Sequence, residues 1–116
     1  MRVVSVREGS EPEGSGLRAR TESSSRTILL EGELDLASQD VFSEAIGKLA
    51  ADGGPITLDL EKLEFMDSSG VRAVIVAARQ ADSLILRSPR GQVHQLLRLC
   101  DIERLENVRL EDVLDE

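Results

Sequence analysis

Two adjacent hydroxyls behind a carboxylate, in the run Glu64-Phe65-Met66-Asp67-Ser68-Ser69-Gly70-Val71, are the residues of this sequence best suited to carry chemistry. A short apolar run precedes them, and Val71, Val74, Ile75 and Ala78 follow at helical spacing, so the segment reads as the joint between a strand and a helix. Asp, Ser and Gly suit a helix start, where side-chain oxygens accept from N–H groups that lack an intrahelical partner. The same N–H cluster carries partial positive charge and seats an anion such as phosphate. Ser68 is therefore either an ordinary N-cap or a hydroxyl whose phosphorylated form the helix start tolerates. Ser69 reads as a first-turn residue or alternate cap, and Asp67 either caps the helix or positions the Ser68 hydroxyl.

Nothing in the sequence points to an activated nucleophile. There is no G-x-G-x-x-G, no Walker-type glycine loop, no Ser-His-Asp set and no metal-ligand cluster, so the residues that catalysis requires are missing and the chain reads as a non-enzyme without cofactor or metal. His94 stands beside a helical stripe with no Cys, His or paired carboxylates around it, which makes it a surface helix residue in this reading. Cys100 falls on that stripe and is expected in the core, as free cysteines usually are.

The elements that must position the Asp67 to Gly70 joint follow from hydrophobic period. Leu17, Ala19 and Thr21 alternate, Ser23 to Ser25 marks a turn, and Thr27 to Leu34 is a second apolar run, together predicting a hairpin. Val41, Phe42, Ala45, Ile46 and Leu49 predict a first helix, with Ser38 as its N-cap and Gly53-Gly54-Pro55 as its stop. Ile56 to Leu60 predicts a short central strand, Leu84 to Leu86 another, and Val93, Leu96, Leu97 and Cys100 a third helix. Leu105 to Glu116 is expected to give an edge strand and a fragment of helix. Alternating strands and helices imply an α/β domain, with a mixed sheet of about four to five strands and helices packed on it.

The chain is long enough for one domain and too short for two, at 116 residues. Residues 1–16 are expected to form a tail, because Glu8 to Gly16 reads EGSEPEGSG, a linker composition. Within that tail Met1 to Val6 carries three valines and offers a short extra strand. Residues 17–116 form the expected domain. The formal charge of −8, from 22 acidic and 14 basic residues, repels polyphosphate, and only Phe42 and Phe65 offer rings for stacking bases. Nucleic acid is thereby a poor partner. No apolar run approaches membrane-spanning length and no secretory pattern opens the chain. The expectation is a cytoplasmic protein with no membrane insertion, and a single cysteine suits a reducing compartment.

Gly32-Glu33-Leu34-Asp35-Leu36, then Ile56-Thr57-Leu58-Asp59-Leu60, then Phe65-Met66-Asp67-Ser68-Ser69-Gly70-Val71 resembles the STAS domain in order and spacing. The resemblance runs from about Leu17 to Leu114. In its DSSG form the chain is similar to bacterial anti-sigma factor antagonists, and that resemblance implies a partner switch. The unmodified protein would bind an anti-sigma factor with serine kinase activity, phosphate on the serine after the aspartate would end the complex, and a phosphoserine phosphatase would reset it. Here that serine is Ser68. The long N-terminal tail, the short connection Gln80 to Ser83 and Arg72 in place of a small residue or leucine depart from the pattern. They bear on partner identity and not on fold.

Asp35 follows a strand and precedes a helix, so it is either a solvated turn residue or a partner contact beside the serine loop. In the second helix Ala73, Val76 and Ala77 are apolar in addition to the inward stripe. That excess is either filler or an exposed patch for a docked partner. The expected partner-binding set is Asp35, Asp67, Ser68, Ser69, Gly70, Arg72, Ala73 and Val76. Two other roles compete: a scaffold subunit of a stress-sensing complex, and a cytoplasmic accessory subunit of a lipid or anion transporter. Standalone relatives of the latter kind usually depart from DSSG.

Overall fold

Strand β1 (Leu17–Glu22) turns through a 3-10 segment at Ser23–Ser25 into β2 (Thr27–Leu34) in the computed structural model, which describes residues 16–113. Helix α1 (Gln39–Ala50), β3 (Pro55–Met66), α2 (Ser68–Gln80), β4 (Ser83–Arg87), α3 (Gly91–Leu99) and β5 (Val108–Glu111) follow. The sheet order is β1-β2-β3-β4-β5, with β1 antiparallel to β2 and every other pair parallel. This is the expected α/β domain with a five-stranded mixed sheet. The tail predicted over residues 1–16, with its strand at Met1 to Val6, lies outside the described residues apart from Gly16. That residue's carbonyl accepts from Glu33 N–H at 3.0 Å.

Each parallel connection passes through one helix and advances one strand in the same direction. Right-handed crossovers then place all three helices on one face of the sheet. The burial pattern agrees. Ile28 and Leu30, Ile56, Leu58 and Leu60, and Leu84 and Leu86 are fully buried and join Phe42, Ile46, Val74, Val93 and Leu97 in one cluster. The alternating residues Leu29, Thr57, Asp59, Ile85 and Arg87 are only half-buried, and Arg87 pairs there with Asp59 at 3.2 Å.

The largest departure from the sequence reading is β3. The run Ile56 to Leu60 predicts a short strand, whereas β3 continues to Met66. The register explains why alternation fails as a guide. Between Leu29↔Asp59 and Glu31↔Lys62, β2 advances two residues and β3 three. Between Gly32↔Leu63 and Glu33↔Phe65, β2 advances one and β3 two. Each irregularity gives β3 one extra residue, as a β-bulge does. The inward residues accordingly shift from the spacing Ile56, Leu58, Leu60 to Leu60, Leu63, Met66. Gly32 sits at the second of these places with φ +106°, and a side chain there would meet the Gly16 carbonyl.

Smaller corrections concern the helices. On α2 the buried residues are Gly70, Val71, Val74, Ala77 and Ala78, so Ala77 belongs to the inward stripe and Ile75 is only half-buried. Cys100, expected in the core, is exposed because α3 ends at Leu99, before the stripe completes its next turn. His94 is half-buried. No helix forms in the described part of the C-terminal segment: a 3-10 turn at Ile102–Arg104 precedes β5.

Candidate functional site

Strands β2 and β3 run parallel and end in register, Leu34 beside Met66. The residues that follow, Asp35 and Asp67, therefore leave the sheet side by side at one rim, about one strand spacing of 4.8 Å apart along the backbone. The Asp67 N–H reaches back to the Leu34 carbonyl at 3.4 Å and ties the two ends together. This is the edge at which α/β folds present their sites, and both bulges in β3 are needed to bring Met66 level with Leu34.

At Asp67 the backbone is extended, φ −116° and ψ −169°, and α2 begins at the next residue. Asp67 Oδ1 accepts from Gly70 N–H at 3.0 Å, so Asp67 is the N-cap. That displaces Ser68 from the capping role and leaves it as the first helical residue, exposed, with no hydrogen bond to its hydroxyl among the described residues. The N–H groups of Ser68 and Ser69 likewise have no partner among the described residues. The loop thus offers, among the described residues, a hydroxyl and donors without a partner at the positive end of a helix dipole.

Gly70 is buried. A side chain there would come within 2.5 Å of the Leu34 carbonyl and of Met66 Cγ. Its hydrogen atom allows α2 to seat directly on the ends of β2 and β3, so Gly70 packs and is out of a partner's reach. Ser69 is half-buried, and its carbonyl accepts from Gln39 Nε2 at 3.2 Å.

Asp35 is the N-cap of a 3-10 turn at Leu36–Ser38 that leads into α1. Its partner there is Ser38, which is completely buried. Ser38 Oγ accepts from Asp35 N–H at 3.0 Å and lies 3.2 Å from Asp35 Oδ1. Ser38 occupies the position that precedes α1, as its sequence suggests, but its hydroxyl serves this turn and makes no cap bond to α1. The turn exposes Leu36 to 71%.

From the rim, a groove of about 200 Å³ runs between α1 and α2, lined by Phe42, Ile46, Ala73, Val76 and Ala77 with Arg72 at its edge. Val76 is 43% exposed, Arg72 is exposed and Ala73 is half-buried. The apolar excess of α2 is therefore divided: Ala77 is core, whereas Ala73 and Val76 reach the surface. The structure brings Asp35, Asp67, Ser68, Ser69, Arg72, Ala73 and Val76 to one rim and the groove that opens from it. Sequence reasoning missed four residues of this region. Leu36 lies in the quoted motif but gives no sign of exposure. Phe65, beside Met66, is 40% exposed. Gln39 and Gln92 act through contacts 30 and 26 residues away. No local pattern encodes such contacts.

Among the described residues, no helix is long and apolar enough to cross a membrane. No curated protein matches the chain. Residues 17–111 match the family model described as Mlab, STAS domain. Three of the solved structures that share the fold illustrate the likeness. An anti-sigma factor antagonist from Mycobacterium paratuberculosis superposes with a TM-score of 0.70 at 19% identity, covering 84% of this chain and 87% of its own. A Thermotoga maritima protein gives 0.65, also at 19% identity and with the same coverage. The unphosphorylated form of the anti-sigma factor antagonist SpoIIAA gives 0.59 at 22% identity, covering 84% of this chain and 89% of its own.

Proposed function

The chain belongs to the STAS domain family, and we propose that it is an anti-sigma factor antagonist whose complex is ended by phosphate on Ser68. The observation that carries this reading is the state of Ser68. It is an exposed hydroxyl, relieved of capping by Asp67, on a rim that also presents Asp35 and opens into the groove beside Arg72, Ala73 and Val76. The structural relatives that bear the name anti-sigma factor antagonist support the same role.

Unmodified, the rim and groove dock an anti-sigma factor, with Val76 and Leu36 supplying apolar area and Asp35 and Arg72 supplying charge. That partner is also the serine kinase, and it transfers the γ-phosphoryl group of ATP to Ser68 Oγ, with ADP leaving and the hydroxyl proton released. The product carries about −1.5 to −2 charges at the centre of the docking surface. Burial of an unpaired charge at an interface costs about 2–5 kcal/mol, a loss of roughly 30-fold to several-thousand-fold in affinity. A phosphoserine phosphatase restores the binding form. The protein itself catalyses nothing in this scheme, which operates in the cytoplasm.

Capture of partners by the unmodified full chain, followed by mass spectrometry and then by addition of ATP, tests the reading. The expected result is an anti-sigma factor with kinase activity that leaves as Ser68 becomes phosphorylated. Recovery of transporter subunits, or of a large stable assembly indifferent to ATP, overturns it.

A further inference from the structure

We propose that Gln39 and Gln92 are positioning residues, two side-chain clamps that hold the Asp67–Ser68 loop from opposite sides so that the Ser68 hydroxyl is the one presented.

The need for a clamp arises from the sheet. Strand β4 pairs with β3 only as far as Asp59↔Arg87, and β3 runs on to Met66 with β2 alone beside it. In a parallel ladder the N–H and C=O of one residue point to the same side. Asp67 N–H points to β2, so those of Met66 point away from it, towards the place where a longer β4 would pair. Gln92, in the first turn of α3, fills that place with its side-chain amide. Gln92 Oε1 accepts from Met66 N–H at 3.0 Å and Gln92 Nε2 donates to the Met66 carbonyl at 2.7 Å. The primary amide thus supplies both hydrogen bonds that the backbone of a longer β4 would give Met66, at the last residue before the loop.

The other side is held from α1. Gln39 Nε2 donates to the Ser69 carbonyl at 3.2 Å, immediately after Ser68. Backbone groups at Met66 and Ser69 are thereby fixed by two helices that are distant in sequence, and the Asp67 cap fixes Gly70. Between these points only Ser68 is left exposed. Neither glutamine bonds to the Ser68 hydroxyl, so each acts through the backbone. A loop held at three points keeps one geometry in the free protein, and its docking and phosphorylation need no ordering step.

Amide hydrogen exchange on the full chain tests the clamps without any partner. In Gln92→Ala the Met66 amide is expected to exchange about ten-fold faster or more, as for loss of one hydrogen bond, while Ile56 and Leu58 keep their protection and the thermal midpoint is nearly unchanged. Gln92→Glu retains an acceptor for Met66 N–H and loses the donor to the carbonyl, so its effect is intermediate. A Met66 amide that exchanges at the wild-type rate in Gln92→Ala overturns the clamp.

The presentation of Ser68 rests on the function proposed above and has a separate readout. With the protein expressed in its organism of origin, phosphopeptide mapping is expected to find phosphate on Ser68 alone in the wild type. Gln39→Ala and Gln92→Ala are expected to spread phosphate to Ser69, a change of selectivity that a mere fall in stability or docking does not produce. Wild-type occupancy confined to Ser68 in both variants overturns the positioning role. Absence of phosphate from wild-type Ser68 overturns the proposed function instead, and the exchange rates then decide the clamps.

Discussion

At the scale of single residues, Ser68 and Gly70 stand two positions apart and serve opposite ends. Ser68 is exposed at the first position of α2, where negative charge is favourable by about 0.3–1 kcal/mol. Ser68→Asp is therefore expected to melt at nearly the wild-type temperature and to lose partner affinity. Ser68→Ala binds and is not released. Aspartate carries less charge and fewer oxygens than phosphate, so its effect on affinity is the smaller. Calorimetric titration against the captured anti-sigma factor, with thermal melts in parallel, reads both quantities, and equal affinity of Ser68→Asp and wild type refutes the switch. Gly70→Ala must do the reverse. Its added carbon has backbone at 2.5 Å on the Leu34 side, a collision that costs about 1–3 kcal/mol as overpacking. Urea titration is expected to show a lower midpoint, and an unchanged midpoint means that α2 lifts off the strand ends without cost.

The element that matters most is α2, because one helix with its N-cap carries the proposed phosphorylation site, a core stripe and part of the groove. Loss of the Asp67 carboxylate frees Gly70 N–H at a buried position, and Asp67→Ala is expected to cost about 0.5–2 kcal/mol. Asp67→Asn keeps an acceptor and costs less, and denaturant midpoints of the pair separate a cap from a side chain that only contacts a partner. On the groove face, Val76 is 43% exposed, so Val76→Glu falls among surface substitutions, within about 0.5 kcal/mol of wild-type stability. Binding is another matter. A charge placed in an apolar docking groove is expected to weaken partner affinity at least ten-fold, and retention of full affinity removes the groove from the interface.

For the whole molecule, the arrangement assigns different tasks to the two edges of the sheet. At one end of the strands Arg26 donates to the carbonyls of Pro55 at 2.6 Å and Leu49 at 2.9 Å, which closes the turn from α1 into β3. At the opposite end lie Asp35, Asp67 and the groove mouth, and Gly16 joins the sheet there beside Glu33. Residues 17–111, matched by the family model, hold every strand and helix described. Deletion of residues 1–15 is accordingly expected to leave one cooperative thermal transition, with a midpoint shift below about 2 °C, the equivalent of about 0.5 kcal/mol in a domain of this size. A collapse of the transition makes Met1 to Val6 part of the folded unit.

Local pattern and tertiary contact divide the account of this protein between them. The hairpin, the three helices and the α/β class are legible in the sequence because each rests on a hydrophobic period of two or 3.6 residues repeated over a short window. The rim was legible too, since Asp35 and Asp67 each stand where a strand gives way to a helical turn, and the STAS resemblance placed Ser68 on it. Three features were decided only by the fold. The length of β3 depended on two bulges, which shift the alternation that marks a strand and exist only relative to β2. The cap passed from Ser68 to Asp67 through the dihedral angles of one residue, and sequence offers both side chains as acceptors. The bonds of Gln39 to Ser69 and of Gln92 to Met66 span 30 and 26 residues. A glutamine on a helix surface carries no mark of such a bond, because what it completes is a gap in the sheet that appears only when β4 stops short of the end of β3.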